Sequence, residues 1–227
     1  MEKLIEILTS NPFLKKRFTK VKSWKKREIL YSTKNDIDEG IIYLITKGEL
    51  KIEVFRHNVW LPLTILKCND FIGIEHFIPH HEKIFFFDYR VIALSDGEGI
   101  QIEHEYFMDH IYADPRFLTI LLQRVSMKYL FLLQHLFFPD DSLEKKIART
   151  LWEFASFEGL ENQAFIESTQ YRAPSYVTKR LLSEYLQVSP YKINKVFLQW
   201  LEQGIMLSIK PIIINREKVR KTYFMKE

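Results

Sequence analysis

Between Thr178 and Met206 the chain reads TKRLLSEYLQVSPYKINKVFLQWLEQGIM, and this stretch restricts the possible folds more than any other. Leu181, Leu182, Tyr185 and Leu186 recur at helical spacing and give a first helix one buried face. Gln187-Val188-Ser189 then interrupts the pattern. Ser189 suits the N-cap of a second helix, and Pro190 suits its first position, where a missing N–H costs nothing. The second helix is predicted to bury Ile193, Val196, Phe197 and either Trp200 or Leu201. Tyr191, Lys192, Asn194, Lys195 and Gln199 are left on or near its outer face, and Gly204 is placed to stop it.

A second helix whose first turns carry phenol, amide and ammonium groups suits the major groove of DNA, which admits one helix and presents base edges to its N-terminal residues. The plainer alternative is a helical hairpin in an ordinary core. The residues that follow favour the first reading. Met206-Leu207-Ser208-Ile209 and Ile212-Ile213-Ile214 are short β-prone runs split by Lys210-Pro211, the pattern of a wing hairpin behind a helix-turn-helix.

A length of 227 residues suits two modest domains, and 47% hydrophobic with 27% charged residues is a globular balance. Aromatic residues at 15%, including 18 Phe, imply a well-filled interior. The single cysteine, Cys68, excludes an intrachain disulfide framework and a Cys-rich metal or iron–sulfur site; it reads as a small buried hydrophobe. The opening MEKLIEILTSNPFLKKRF has early charges and no long apolar run, so neither a signal peptide nor a membrane span is expected, and the protein is expected to be cytoplasmic. A net charge of +4 is compatible with nucleic acid without arguing for it. The basic run from Lys15 to Arg27 reads as a solvated face rather than a phosphate contact.

After a helical pattern at residues 2–10, residues 29–104 change character. Short β-prone runs at Ile29-Tyr31, Ile41-Ile45, Leu50-Phe55, Trp60-Leu66, Phe71-Ile74, Phe85-Ala93 and Gly99-Ile102 alternate with turn residues. Such spacing predicts an antiparallel jelly roll and an α+β chain overall. Asp114-Pro115 opens a long helix to about Phe137, on which Leu118, Leu122, Val125, Tyr129, Leu132 and Leu136 form a heptad seam. Phe117, Leu121, Phe131 and Leu133 widen the apolar surface. One face is expected on the roll and the seam against a second copy of the chain. Pro139-Asp140-Asp141-Ser142 breaks the helix; a further amphipathic helix carries Leu143, Ile147, Leu151 and Phe154, before a polar loop near Glu158–Ala173. The expected division is residues 1–113, roll with N-terminal helix; 114–138, dimerisation helix; and 139–227, winged helix-turn-helix.

This order, with Ile42-Tyr43-Leu44-Ile45, Lys47-Gly48-Glu49-Leu50-Lys51-Ile52, Asn69-Asp70-Phe71-Ile72-Gly73 and Thr178 through Ile205, resembles the cAMP receptor protein/FNR family of bacterial transcription regulators over nearly the whole chain. Departures from the family pattern are concentrated in one loop. Nucleotide-binding members have Gly-Glu early in a phosphate loop and Arg-Ser/Thr-Ala at its end. Here Ile74 follows Gly73, Phe87 stands about where the Arg belongs, and Asp88-Tyr89 replace the small residues. Lys83 supplies charge but no bidentate fork. With Phe85, Phe86 and Phe87 facing an anionic ring, the resemblance implies a degenerate effector pocket that does not bind cAMP, similar in this to a Listeria virulence regulator of the family. Either a more apolar effector or the pocket's own aromatic side chains would fill it, and the second is favoured.

The resemblance further implies a homodimer on an inverted-repeat duplex and contact with RNA polymerase, with no cofactor and no membrane. Pro190, Tyr191 and Lys195 stand at the family's base-reading positions, and Asn194 is an added candidate for adenine or phosphate. Thr178, Lys179, Ser189 and Lys192 are expected on phosphates. His76, His80 and His81, with Glu75 and Glu82, are dense enough for a metal or haem site, but a polar surface loop explains them more simply. No nucleophile elbow, Walker loop or zinc-protease motif occurs, so no enzyme is expected. The rival from another class is a β-roll sensor or scaffold whose helix-turn-helix contacts a protein; it requires an apolar stripe on the second helix.

Overall fold

The computed structural model describes residues 12–33, 40–73, 88–137, 140–159 and 169–225, with residues 12, 14, 15, 115, 134–137 and 156–159 described by backbone alone. Two compact units result, Met1–Leu133 and Gln134–Glu227.

In the first unit, α1 (Pro12–Phe18) leads into β1 (Thr19–Trp24), β2 (Ile29–Ser32), β3 (Ile41–Lys47), β4 (Leu50–Arg56), β5 (Val59–Leu66), β6 (Phe71–Ile72), β7 (Tyr89–Ala93) and β8 (Gly97–Glu103). Two four-stranded antiparallel sheets form, in the orders β1-β8-β3-β6 and β2-β7-β4-β5. Strand β3 explains the layering. Its residues Tyr43 and Ile45 join Trp24, Leu50, Leu66 and Val91 in one core. Alternate residues Ile42 and Leu44 join Phe107, Phe117 and Leu121 in another. A strand buried on both faces has no polar side to alternate with, hence the run IIYLI. The second core is closed by α2 (His104–Ala113) and α3 (Pro115–Phe137), α3 through Phe117 and Leu121. Gly99 of β8 lies under the Trp24 ring, where a Cβ would sit 2.8 Å from the Leu44 carbonyl oxygen.

Strand β1 is absent from the sequence reading, and the reason is visible in its side chains. Only Thr19 and Trp24 at its ends are buried, while Lys20, Val21, Lys22 and Ser23 between them face solvent at the sheet's edge. Lysines there discourage pairing with another sheet and also hide the strand from hydrophobic patterning. Cys68 corrects a second expectation. It is exposed rather than buried, because it occupies the turn between β5 and β6, where its thiol donates to the Thr46 carbonyl at 3.1 Å.

The second unit comprises α4 (Leu143–Gly159), β9 (Gln170–Arg172), α5 (Lys179–Leu186), α6 (Pro190–Glu202), β10 (Met206–Ile209), β11 (Ile212–Asn215) and α7 (Arg216–Tyr223). The two expected wing strands pair, and β9 adds a third in the order β10-β11-β9. Neither β9 nor α7 is signalled by the sequence pattern. β9 is a three-residue strand with only Tyr171 buried, and α7 has five charged residues among eight and one buried residue, Val219. Ahead of α4, Asp141 pairs with Lys145 and Arg149 and Ser142 receives the Lys145 N–H, which places negative charge and a capping hydroxyl at the helix start.

Candidate nucleic-acid interface and roll cavity

Helix α5 begins at Thr178, whose side-chain oxygen accepts the Leu181 N–H at 3.1 Å, and ends at Gln187 in the left-handed conformation (φ 53°, ψ 42°). That reversal lets the Ser183 hydroxyl donate to the Val188 carbonyl at 2.6 Å and delivers the chain to Ser189. Ser189 caps α6 by accepting the Lys192 N–H, with Pro190 in the first turn. Two N-caps and one left-handed residue therefore set the angle between the helices.

The inner side of α6 is fully committed to the core. Ile193, Val196, Phe197 and Trp200 are buried, which decides between Trp200 and Leu201 in favour of the tryptophan; Leu201 is exposed. The Trp200 indole N–H donates to the Tyr223 hydroxyl at 2.7 Å, which ties α6 to α7. At the other end, the Tyr185 hydroxyl donates to buried Glu153 at 3.1 Å; burial, and then the Glu153 charge, push its pKa well above the ordinary phenol value.

On the outer side, Pro190, Tyr191, Lys192 and Lys195 are exposed, Tyr191 to 77%, and the first turn of α6 holds no acid. Thr178 and Ser189 sit at the two helix starts with their acceptor roles occupied by the caps. Asn194 differs from its neighbours. It is half-buried, and its Oδ1 accepts from the Lys179 ammonium at 2.7 Å. Two of the expected DNA-contacting residues are thus joined across the motif, and the Asn194 amide is held with its oxygen turned toward the protein. Two further exposed residues escape the sequence reading, Leu198 on α6 and Lys210 in the wing turn. The Lys-Pro pair between two β-prone runs is the signal for Lys210; Leu198 carries none beyond its i+3 spacing from Lys195.

On α3 the surplus face is apolar. Leu118, Leu122, Val125 and Tyr129 are exposed, Leu122 to 53%, whereas Leu132 is half-buried and the Leu136 side chain lies outside the described residues.

Inside the first unit, a cavity of about 390 Å³ lies between α3 and the strands, lined by Ile52, Leu66, Gly73 and Val91 from the roll and by Leu121 and Lys128 from the helix. Gly73, with φ 85°, is the described member of the expected effector pocket; Ile74, Lys83, Phe85, Phe86 and Phe87 lie outside the described residues. So do His76, His80, His81, Glu75 and Glu82. Among the described residues no group of three or more His, Cys, Asp or Glu is placed to hold a metal, and no helix is long and apolar enough to cross a membrane.

No protein-family model matches the chain, and no curated protein matches it in sequence. Solved structures do match. A cyclic nucleotide-binding domain containing protein from Listeria monocytogenes EGD-e superposes with a TM-score of 0.77 at 14% identity, covering 96% of this chain and 98% of that one. A CooA variant from Carboxydothermus hydrogenoformans follows with a TM-score of 0.68 at 15% identity over 96% and 94% of the two chains. A CRP/FNR-family transcriptional regulator from Thermus thermophilus gives 0.62 at 14% identity over 92% and 100%. The chain therefore has the fold of the Crp/Fnr regulators: an antiparallel, cyclic-nucleotide-binding-like roll with its long helix, and a winged helix-turn-helix.

Proposed function

We propose that the chain is a transcription regulator of the Crp/Fnr type, not an enzyme, that binds an inverted-repeat operator as a homodimer and does so without cAMP. One observation carries the reading: the inner face of α6 is completely buried, while its outer face begins with Tyr191, Lys192 and Lys195 and no opposing acid. A helix N-terminus carries partial positive charge, so the same turn attracts phosphate.

Tyr191 and Lys195, one turn apart with Pro190 beside them, are the base readers. Lys192, Thr178 and Ser189 position the motif on phosphates. Lys179 and Asn194 act together: with Oδ1 occupied, Asn194 presents N–H donors, which suit a phosphate or a guanine or thymine acceptor better than the donor–acceptor edge of adenine. Leu198 and Leu201 are the feature that favours the rival reading, in which α6 docks on a protein. They are two neighbouring residues flanked by exposed Lys195 and Gln199, too short a run for an apolar stripe along the helix; Leu198 is suited to a thymine methyl group.

The exposed apolar face of α3 is the dimer seam, in keeping with the division into residues 1–113, 114–138 and 139–227. RNA polymerase is the expected further partner and the cytoplasm the expected location. Against cAMP, most of the described cavity wall is apolar, as at Ile52, Leu63, Leu66 and Val91, and would solvate a cyclic phosphate poorly. Fluorescence anisotropy of labelled genomic duplexes tests DNA binding directly. A gain in anisotropy that collapses between about 50 and 200 mM salt is expected from counterion release; a salt-independent signal, or none, refutes it.

A further inference from the structure

We infer that Asn194 and Leu198 together read one thymine in each half-site, and that Lys179 is the positioning residue that makes Asn194 select it. The inference rests on the proposed placement of α6 in a major groove and names the base that this side of the helix recognises.

Asn194 and Leu198 stand four residues apart on α6, so their side chains are neighbours on one face. Leu198 is 49% exposed, and Asn194 is half-buried. Lys179 opens α5, and its ammonium donates to Asn194 Oδ1 at 2.7 Å across the motif. An ammonium has three donors and no acceptor, so the amide atom turned toward it is the oxygen; the reverse orientation would set donor against donor. The amide N–H₂ is then the end left for a partner, and among the described residues it has none.

One fixed donor beside one apolar group fits a single kind of base edge. In the major groove adenine offers an acceptor and a donor, which an amide meets only by using both of its ends. Guanine offers two acceptors and cytosine a donor, and neither carries a methyl group. Thymine alone sets an acceptor, O4, beside the C5 methyl. The Asn194 N–H₂ on O4 and Leu198 on the methyl satisfy both halves of that edge, and the methyl contact removes apolar surface of both partners from water. A phosphate would use the amide and leave Leu198 against a charge. Exposed Tyr191 and Lys195, one turn apart on the adjoining face, remain for other base pairs.

The test begins with duplexes selected by the full chain from a random library. Anisotropy is then measured with each half-site thymine replaced in turn. Deoxyuridine removes only the methyl; 5-methylcytosine opposite guanine keeps the methyl and puts an amino donor in place of O4; adenine reverses the pair. One thymine per half-site should stand out, with binding weakened about fourfold per half-site by deoxyuridine and about tenfold or more by 5-methylcytosine or adenine. In Leu198→Ala the deoxyuridine loss should vanish while the 5-methylcytosine loss stays. In Lys179→Met the amide is free to turn, so the preference for thymine over adenine at that position should disappear. Loss of a phosphate contact, or a loosened motif, would instead lower all duplexes alike and leave that preference unchanged. Asn194→Ala should erase discrimination against 5-methylcytosine, and it keeps the test valid if Lys179→Met does not fold. A chain that selects no duplex refutes the proposed function together with this inference. Once a duplex is selected, four results overturn the inference alone: no thymine sensitive to loss of its methyl, a deoxyuridine loss that survives Leu198→Ala, an unchanged preference in Lys179→Met, or a uniform loss in Asn194→Ala.

Discussion

Helices α3 and α6 have the same inner construction and opposite outer faces. Each buries an inner stripe, α6 completely through Ile193, Val196, Phe197 and Trp200, and α3 through Phe117 and Leu121 with Ile120, Lys128 and Leu132 half-buried. Beyond that stripe, α3 shows solvent Leu118, Leu122, Val125 and Tyr129, whereas α6 shows Tyr191, Lys192 and Lys195. Side chains that the fold does not need are the ones free to state a partner. Leucines in heptad register suit a second apolar helix; ammonium and phenol groups at a capped helix start suit a polyanion with readable edges.

The largest effect expected from breaking this contrast is at α3. In Leu122→Glu the lost burial counts twice in a two-fold interface, so dimerisation should weaken by about 3–6 kcal/mol, read by sedimentation equilibrium, while the roll stays folded. The inner face of α6 comes next. Trp200→Ala removes a fully buried ring and the donor to Tyr223, and should cost the second unit about 3–5 kcal/mol in urea unfolding. Lys195→Ala, five residues earlier on the outer face, should leave that unfolding midpoint unchanged and cost about 1–3 kcal/mol in operator affinity. If both substitutions destabilise the fold equally, the division of α6 into an inner and an outer face is wrong.

The smallest effect is a pH dependence. Burial raises the Asp141 pKa, but Lys145 and Arg149 outweigh it and hold the carboxyl below its ordinary value. A folded-state pKa lower than the unfolded one adds stability at pH above the ordinary carboxylate value, and that stability is lost as pH falls through the lowered value. Asp141→Asn should therefore flatten the acid limb of the second unit's stability curve and leave neutral DNA binding intact. A limb of unchanged steepness argues that Asp141 carries none of it.

How much of this is readable from the chain differs between the two units. In the helix-turn-helix, local chemistry and tertiary packing agree: the Thr178 and Ser189 caps, Pro190 and the 3.6-residue apolar spacing all state the same geometry. In the roll, β3 is legible because it is buried on both faces, and β1 is not, because an edge strand of lysines has no hydrophobic period. Cys68 misleads since cysteine is a common core residue, whereas here a turn places it outside. The Lys179–Asn194 bond is beyond reach as well. Fifteen residues separate the partners, and only the turn at Gln187 brings them together. Asp70 likewise reads as part of a family motif; its unpartnered oxygen depends on where Lys67 and Lys128 arrive.

The most direct measurement is selection of bound duplexes from a random-sequence library by the purified full chain, followed by sequencing. A two-fold protein with α6 in successive major grooves predicts an enriched inverted repeat with half-sites about 10 base pairs apart, whose recovery is lost in both Lys195→Ala and Leu122→Glu. Enrichment of a lone half-site, or of no sequence at all, would contradict the account.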